Sequence, residues 1–315
     1  MKSHDAMTDY EKSPMTEEPK GKNLWIIIFI MAVSISAAVY MLLSAKGSVT
    51  DHQSQNQEPS QNTEHNKDRS ESTTVEFKDT ALEKEICRAL GVSGRPVTKK
   101  EAAKVKVLNL AHEGDEHGDI SDLTGLSCFT KLEELDLSNN KITDVSELSE
   151  MKHLKKLHLE GNQISEVKPL ASLNSLKLLD LEGNKISNIY VLKDLKGLTV
   201  FDIRNNYVAD ISIIADMKNM EQLYIRNNYI TDITPLEGLR KVTYLSMGDN
   251  SIEDISPIRN MKKLTHLIIC GNGLRDISVI KELPNLVYIE IQGNKIKDYS
   301  PLKSLPKGCK VVRHY

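Results

Sequence analysis

Aromatic side chains are scarce in this 315-residue chain, at 5% of all residues, with four Phe and one Trp. A generic globular core leans on such rings, so their scarcity beside plentiful Leu and Ile points to a core built by repetition. Cysteine is sparse too. Cys87, Cys128, Cys270 and Cys309 show no C-x-x-C spacing, which disfavours a zinc knuckle, and their pairing is open. The formal charge is only −3 and no long basic run occurs, which argues against nucleic acid as a partner. No G-x-S-x-G, Walker loop or Cys/His pairing is present. Enzyme activity, a cofactor and a small-molecule substrate are therefore not expected.

Charge is also missing from one long run, LWIIIFIMAVSISAAVYMLLSA, Leu24 to Ala45. As a helix it reaches about 33 Å, enough for a bilayer's hydrocarbon core. Trp25 and Tyr40 stand near its ends, and Lys12, Lys20 and Lys22 precede it while only Lys46 follows closely. These features predict a single-pass type II membrane protein. Residues 1–23 would be a cytoplasmic tail, 24–45 the transmembrane helix, and the C-terminal domain extracytoplasmic. The run is long for a cleaved signal peptide, and Leu43 stands where a small residue should precede the cut. LSAK, Leu43 to Lys46, has the form of a lipobox, but Lys occupies the place of the lipid-bearing Cys.

Residues 46–74 hold one Val and no other large apolar side chain, which predicts a disordered stalk. From Val75 the composition shifts. DTALEKEICRALG places Ala81, Leu82, Ile86 and Leu90 on one helical stripe, with Gly91 as its stop. TKKE offers a capping box from Thr98 to Glu101 for a second helix. Residues 75–106 are therefore expected to form a helical N-terminal cap.

Beyond the cap the chain counts in steps of 22. Leu132 opens a column that runs through Leu154, Leu176 and Leu198 to Leu286, and columns from Leu135, Leu137 and Asn140 keep pace. The Asn column, ending at Asn294, has no exception. Such a period is a solenoid. L-x-L reads as a short strand with alternate side chains facing out. The Asn can bond the backbone of adjacent coils in a ladder. Thr234-Pro235, Ser256-Pro257 and Ser300-Pro301 read as an N-cap and N1 proline opening a short helical turn. Asp144, Asp210, Asp232, Asp254, Asp276 and Asp298 recur with the period and are expected to cap the same turns. The predicted fold class is an α/β solenoid, a horseshoe with a concave parallel β-sheet, short helical turns on the convex side and a helical N-terminal cap. One degenerate and eight regular repeats would fill residues 107–306, with an end cap at 307–315.

The consensus L-x-x-L-x-L-x-x-N-x-I-x-D-I-x-x-L resembles the 22-residue leucine-rich repeats of bacterial internalins. The helical segment before it is similar to the internalin N-terminal cap. This resemblance implies a leucine-rich repeat protein that binds another protein through its concave face, in adhesion or envelope recognition, without catalysis. The chain departs from the pattern in lacking a C-terminal LPXTG signal and in ending at Tyr315 without an immunoglobulin-like domain. Host-receptor binding is therefore not implied. The repeat also resembles the leucine-rich regulatory subunit of protein phosphatase one, and the alternative expectation is a cytoplasmic regulatory scaffold. The apolar run at 24–45 conflicts with that alternative.

The insertion AHEGDEHGDISD gathers His112, Glu113, Asp115, Glu116, His117 and Asp119, but without H-E-x-x-H or EF-hand spacing. A solvated loop is expected there and no metal site. Binding residues are sought instead where the outward columns vary. Those columns are mostly acidic in their first half. From Val200 onward Tyr224, Tyr244, His266, Ile268 and Tyr288 cluster on adjacent strands beside Arg204 and Arg226. Tyr207 and Tyr229 stand just past the ladder Asn, on the rim. Tyr with Arg is the composition of binding hot spots, so these residues form the candidate partner-binding set. Cross-strand stacking of strand-favouring Tyr is the competing structural reading. If the rings serve only a partner, replacing Tyr224, Tyr244 and Tyr288 with Ser should abolish capture and leave thermal unfolding nearly unchanged.

Overall fold

The computed structural model describes residues 73–114 and 118–313. It opens with helix α1 (Thr80–Leu90) and the single turn α2 (Lys99–Ala102). Three-residue strands follow: β1 (Val107–Asn109), β2 (Glu134–Asp136), β3 (Lys156–His158), β4 (Leu178–Asp180) and β5 (Val200–Asp202). The series continues with β6 (Gln222–Tyr224), β7 (Tyr244–Ser246), β8 (His266–Ile268), β9 (Tyr288–Glu290) and β10 (Lys310–Val312). They form one ten-stranded parallel sheet in strict chain order. From β2 onward each register step is 22 residues, as in Leu157↔Leu179↔Phe201. This is the expected solenoid, with the sheet on its concave side.

One expectation is corrected. No helix among the described residues is long and apolar enough to cross a membrane. The longest, α1, has 11 residues, and a helix of that length reaches only about 16 Å, half a bilayer core. The single-pass type II localisation is not supported on that ground. The segments that suggested it, residues 1–23, 24–45 and all but the last two of 46–74, lie outside the described residues.

The cap holds together through Asp79. Its Oδ1 accepts the N–H groups of Ala81 and Leu82 at 2.8 and 3.2 Å, starting α1. Its other oxygen accepts from Ser121 N–H at 2.8 Å and Asp122 N–H at 3.1 Å, tying the cap to the first coil. Burial raises the Asp79 pKa, but the four backbone bonds outweigh it and hold the carboxyl below its ordinary range. Gly91, at φ 64°, ends α1 in a left-handed conformation that glycine adopts without strain. α2 carries the capping box between Thr98 and Glu101. Arg95 grips the same carboxylate, and with the Thr98 bonds brings its pKa to about 2.

Each strand of the regular repeats buries its middle residue. Leu135, Leu157, Leu179, Phe201, Leu223, Leu245, Leu267 and Ile289 are at most 1% exposed, each worth about 1.5–3 kcal/mol of burial. The Asn column forms the ladder. Asn184 Nδ2 donates to the carbonyls of Leu159, Leu181 and Glu182, and its Oδ1 accepts from Ile164 N–H at 2.9 Å. Every coil is thereby bonded to its predecessor. The residue before each ladder Asn is left-handed: Asn139, Gly161, Gly183, Asn205, Asn227, Asp249, Gly271 and Gly293 have φ between 51° and 70°. Gly, Asn and Asp adopt that region most readily, which accounts for both asparagines of each N-N pair.

The convex turns are 3-10 turns; the recurring aspartates cap them as expected, but the Ser and Thr hydroxyls do not. Thr234 and Ser256 are the first residues of their turns, and neither hydroxyl caps one. The aspartate two residues earlier does that work. Asp232 accepts Thr234 N–H at 2.8 Å, and Asp254 accepts Ser256 N–H at 2.7 Å. A carboxylate at that offset reaches the N–H in an Asx turn, and the hydroxyl then donates to it. Glu166 and Asn188 play the same part where the column lacks Asp. All four cysteines are free thiols.

Candidate functional site on the concave face

Parallel pairing sets equivalent side chains of neighbouring coils about 4.8 Å apart. Register therefore places Tyr244, His266 and Tyr288 side by side. Their rings stack, with centroids 5.3 Å apart for Tyr244 and His266 and 5.9 Å for His266 and Tyr288. Tyr224, two positions along its strand, tilts onto Tyr244 at 4.9 Å. Cations close both ends of the row. The Arg204 guanidinium lies 5.2 Å from the Tyr224 ring centre, and the Lys310 ammonium 5.4 Å from that of Tyr288. Ring faces are turned largely on one another, so an incoming molecule meets ring edges.

The polar atoms of the row are also placed. Tyr224 and Tyr288 donate their hydroxyl protons to Gln222 and Glu290 of their own strands. Burial raises the phenol pKa of Tyr224, Tyr244 and Tyr288, so all three stay protonated. Burial lowers that of His266. Thr265 gives its hydroxyl proton to the Thr243 carbonyl at 2.8 Å. Its 3.0 Å contact with His266 Nδ1 therefore puts the imidazole proton on Nδ1.

On the other side of Arg204 the face is acidic. Asp202, only 5% exposed, accepts from Arg204 Nε at 2.8 Å and from a terminal nitrogen at 2.6 Å. The same guanidinium reaches Glu182. Burial pushes the Asp202 pKa up while Arg204 opposes it. Asp180 has no cation of its own, and burial, then Asp202 and Glu160, raise its pKa well above the ordinary value. At the rim, Asn205 Nδ2 donates to Glu182 at 2.8 Å, and Asn227 Nδ2 to Asn205 at 2.8 Å.

The candidate residues thus fall into separate groups. Tyr224, Tyr244, His266 and Tyr288 form the half-buried row. Tyr207 and Tyr229, 50% and 63% exposed, make a second stack on the rim at 6.2 Å. Arg226 is exposed and pairs with Asp249 at 2.7 Å. Arg204 is engaged by two carboxylates and the Tyr224 ring, and joins the two halves instead of standing free. Ile268 is only 6% exposed and so offers a partner little surface. It lies in register between Ser246 and Glu290. The stacking also revises the expectation that the serine substitutions would leave thermal unfolding nearly unchanged, since they remove ring contacts that hold the coils together.

Lys310 was missed by sequence reasoning, although it stands 22 residues past Tyr288 and so continues the same column. The left-handed role of Asn205 and Asn227 was legible in the Gly, Asn and Asp that share their column. In the insertion, Asp115, Glu116 and His117 lie outside the described residues. Among the described residues, no group of three His, Cys, Asp or Glu is placed to hold a metal ion.

A family model described as leucine rich repeats (2 copies) matches residues 152–196, 196–241 and 262–304, and one described as leucine rich repeat matches 117–164. No curated protein matches in sequence. Among solved structures, the chain is similar to an internalin, InlF, of Listeria monocytogenes, with 29% identity, 75% of each chain covered and a TM-score of 0.64. Internalin C2 of the same species shares 29% identity over 76% of this chain and 94% of its own, at a TM-score of 0.56. A leucine-rich repeat protein of Leptospira interrogans shares 26% identity over 68% of this chain and 62% of its own, at 0.54.

Proposed function

Because the chain belongs to the leucine-rich repeat family and its solenoid is internalin-like, we propose that it is a non-catalytic protein that captures another protein on its concave face. The observation that carries this reading is the row Tyr224–Tyr244–His266–Tyr288, bounded by Arg204 and Lys310. The coil does not need rings there. The first-column positions of earlier coils hold Glu134, Lys156, Leu178 and Val200 in the same register. Half-buried tyrosines with a nearby exposed Arg226 supply rigid, amphipathic contact area at low entropic cost. Tyr207 and Tyr229 would extend the contact onto the rim. The acidic half would steer the partner and set its orientation more than its affinity.

The test is capture by the full chain, with bound proteins identified by crosslinking and mass spectrometry, and repeated with Tyr244→Ser and Tyr229→Ser. A central anchor worth about 2 kcal/mol or more weakens binding at least roughly thirtyfold when truncated. Thermal unfolding, followed in parallel, separates lost contact from lost fold. Undiminished capture by both variants would remove the concave-face reading.

A further inference from the structure

We propose that His266 is the selective point of the concave row. Its bare Nε2 accepts an amide N–H of the captured protein, and Thr265 holds the imidazole in the tautomer that can do so. The proposal rests on the protein-binding reading and names the group that the partner must bring.

The lock is built into the coil. In three coils the residue before the strand is Thr, and its hydroxyl donates to the carbonyl one coil back. Thr199 donates to Lys177 at 3.1 Å, Thr243 to Glu221 at 3.2 Å and Thr265 to Thr243 at 2.8 Å. A hydroxyl has one proton. Thr265 Oγ1 can therefore meet His266 Nδ1, 3.0 Å away, only as an acceptor. The imidazole proton stays on Nδ1, and Nε2 keeps its lone pair. Val200 and Tyr244 follow the other two threonines, so of the three only Thr265 has a ring nitrogen to hold.

The ring is also placed to use that lone pair. Tyr244 and Tyr288 cover its two faces, at interplanar angles of 17° and 27°, which leaves its edge to an incoming group. No hydrogen bond takes Nε2 among the described residues. The buried side-chain atoms without a partner there belong to Glu147 and Gln292, so the unengaged Nε2 is open to solvent. Burial lowers the His266 pKa, which keeps the imidazole neutral and Nε2 an acceptor. A lone pair among ring edges favours a donor and penalises a carbonyl or carboxylate at the same point, because two acceptors leave each other unpaired. Arg204 and Lys310, at the ends of the row, disfavour a cationic donor. The uncharged donor that a polypeptide carries at every residue but proline is the amide N–H.

The experiment is nitrogen NMR of the histidine rings of the full chain near neutral pH, with the His266 signals identified by their loss in His266→Phe. His266 should show a protonated Nδ1 and a bare Nε2. Thr265→Val, which lacks the hydroxyl, should move the proton partly to Nε2. N-methylacetamide should shift the Nε2 signal, and N,N-dimethylacetamide, an amide without an N–H, should not. Capture of the partner identified by crosslinking should weaken about tenfold in His266→Phe, which keeps a ring in the stack and loses the acceptor. A protonated Nε2 in the unmodified protein would overturn the proposal, and so would an equal response to the two amides. Capture lost in Tyr244→Ser but intact in His266→Phe would overturn it and leave the concave-face reading standing. Capture undiminished in Tyr244→Ser, Tyr229→Ser and His266→Phe alike would remove both.

Discussion

Between β3 and β5 the outward positions bring carboxyl groups together, and between β6 and β9 they bring rings together. The backbone, the ladder and the buried Leu and Ile positions are the same in both regions. One half is held in spite of its surface, since Asp180, Glu182 and Asp202 all resist ionisation through burial. The other half gains cohesion from its surface, ring upon ring. The contrast shows that the coil is stable enough to leave its outward columns free. Arg204, touching both halves, is the joint between them.

Removing that joint should have the largest effect. Arg204→Ala leaves Asp202 buried without its cation and frees Tyr224, a loss of about 3–5 kcal/mol in denaturant unfolding. Arg204→Lys should recover less than half of it, because an ammonium cannot reproduce the bidentate grip. Next come the ladder variants Asn184→Ala and Asn272→Ala, one in each half. Each removes three donated bonds and one accepted bond, about 2–3 kcal/mol by the same measurement. Clearly unequal losses would show that the scaffolds of the two halves are not equivalent. Tyr244→Ala breaks two ring contacts and should cost about 1–3 kcal/mol, read as a lower Tm.

Added salt should separate the halves more gently. Screening relieves the carboxylates, so amide exchange around β4 and β5 slows by less than about 1 kcal/mol in opening free energy, while β7 and β8 hardly respond. Equal responses would mean that repulsion does not distinguish the acidic half. The smallest effect belongs to Tyr229→Ser on the exposed rim, within about 0.5 kcal/mol of the unmodified protein in unfolding.

The coil was readable because each of its jobs admits few residue types and recurs every 22 positions. The ladder accepts Asn alone, the left-handed column accepts Gly, Asn or Asp, and the strand centre accepts a large aliphatic or Phe. The chemistry of the convex turns was half legible. The recurring Asp was recognised as a cap, but the Ser or Thr after it was credited with a role that the carboxylate performs. The site was less legible still. Listing outward columns located the rings, yet it could not tell that Ile268 is covered or that Arg204 is already engaged.

What the sequence by itself determined is the solenoid and the identity of its outward columns. A strict period permits one register, and any slip would turn every buried Leu and Ile to water. What only the tertiary structure decided is what those outward side chains do to one another. Residues 22 apart come within about 5 Å only once the strands pair. Side-chain height and rotamer then select which groups stack, which share charge and which stay exposed. Spacing encodes neither. Tyr224 to Tyr288 became one row closed by cations, and Arg204 met Glu182, only when the coils were laid side by side.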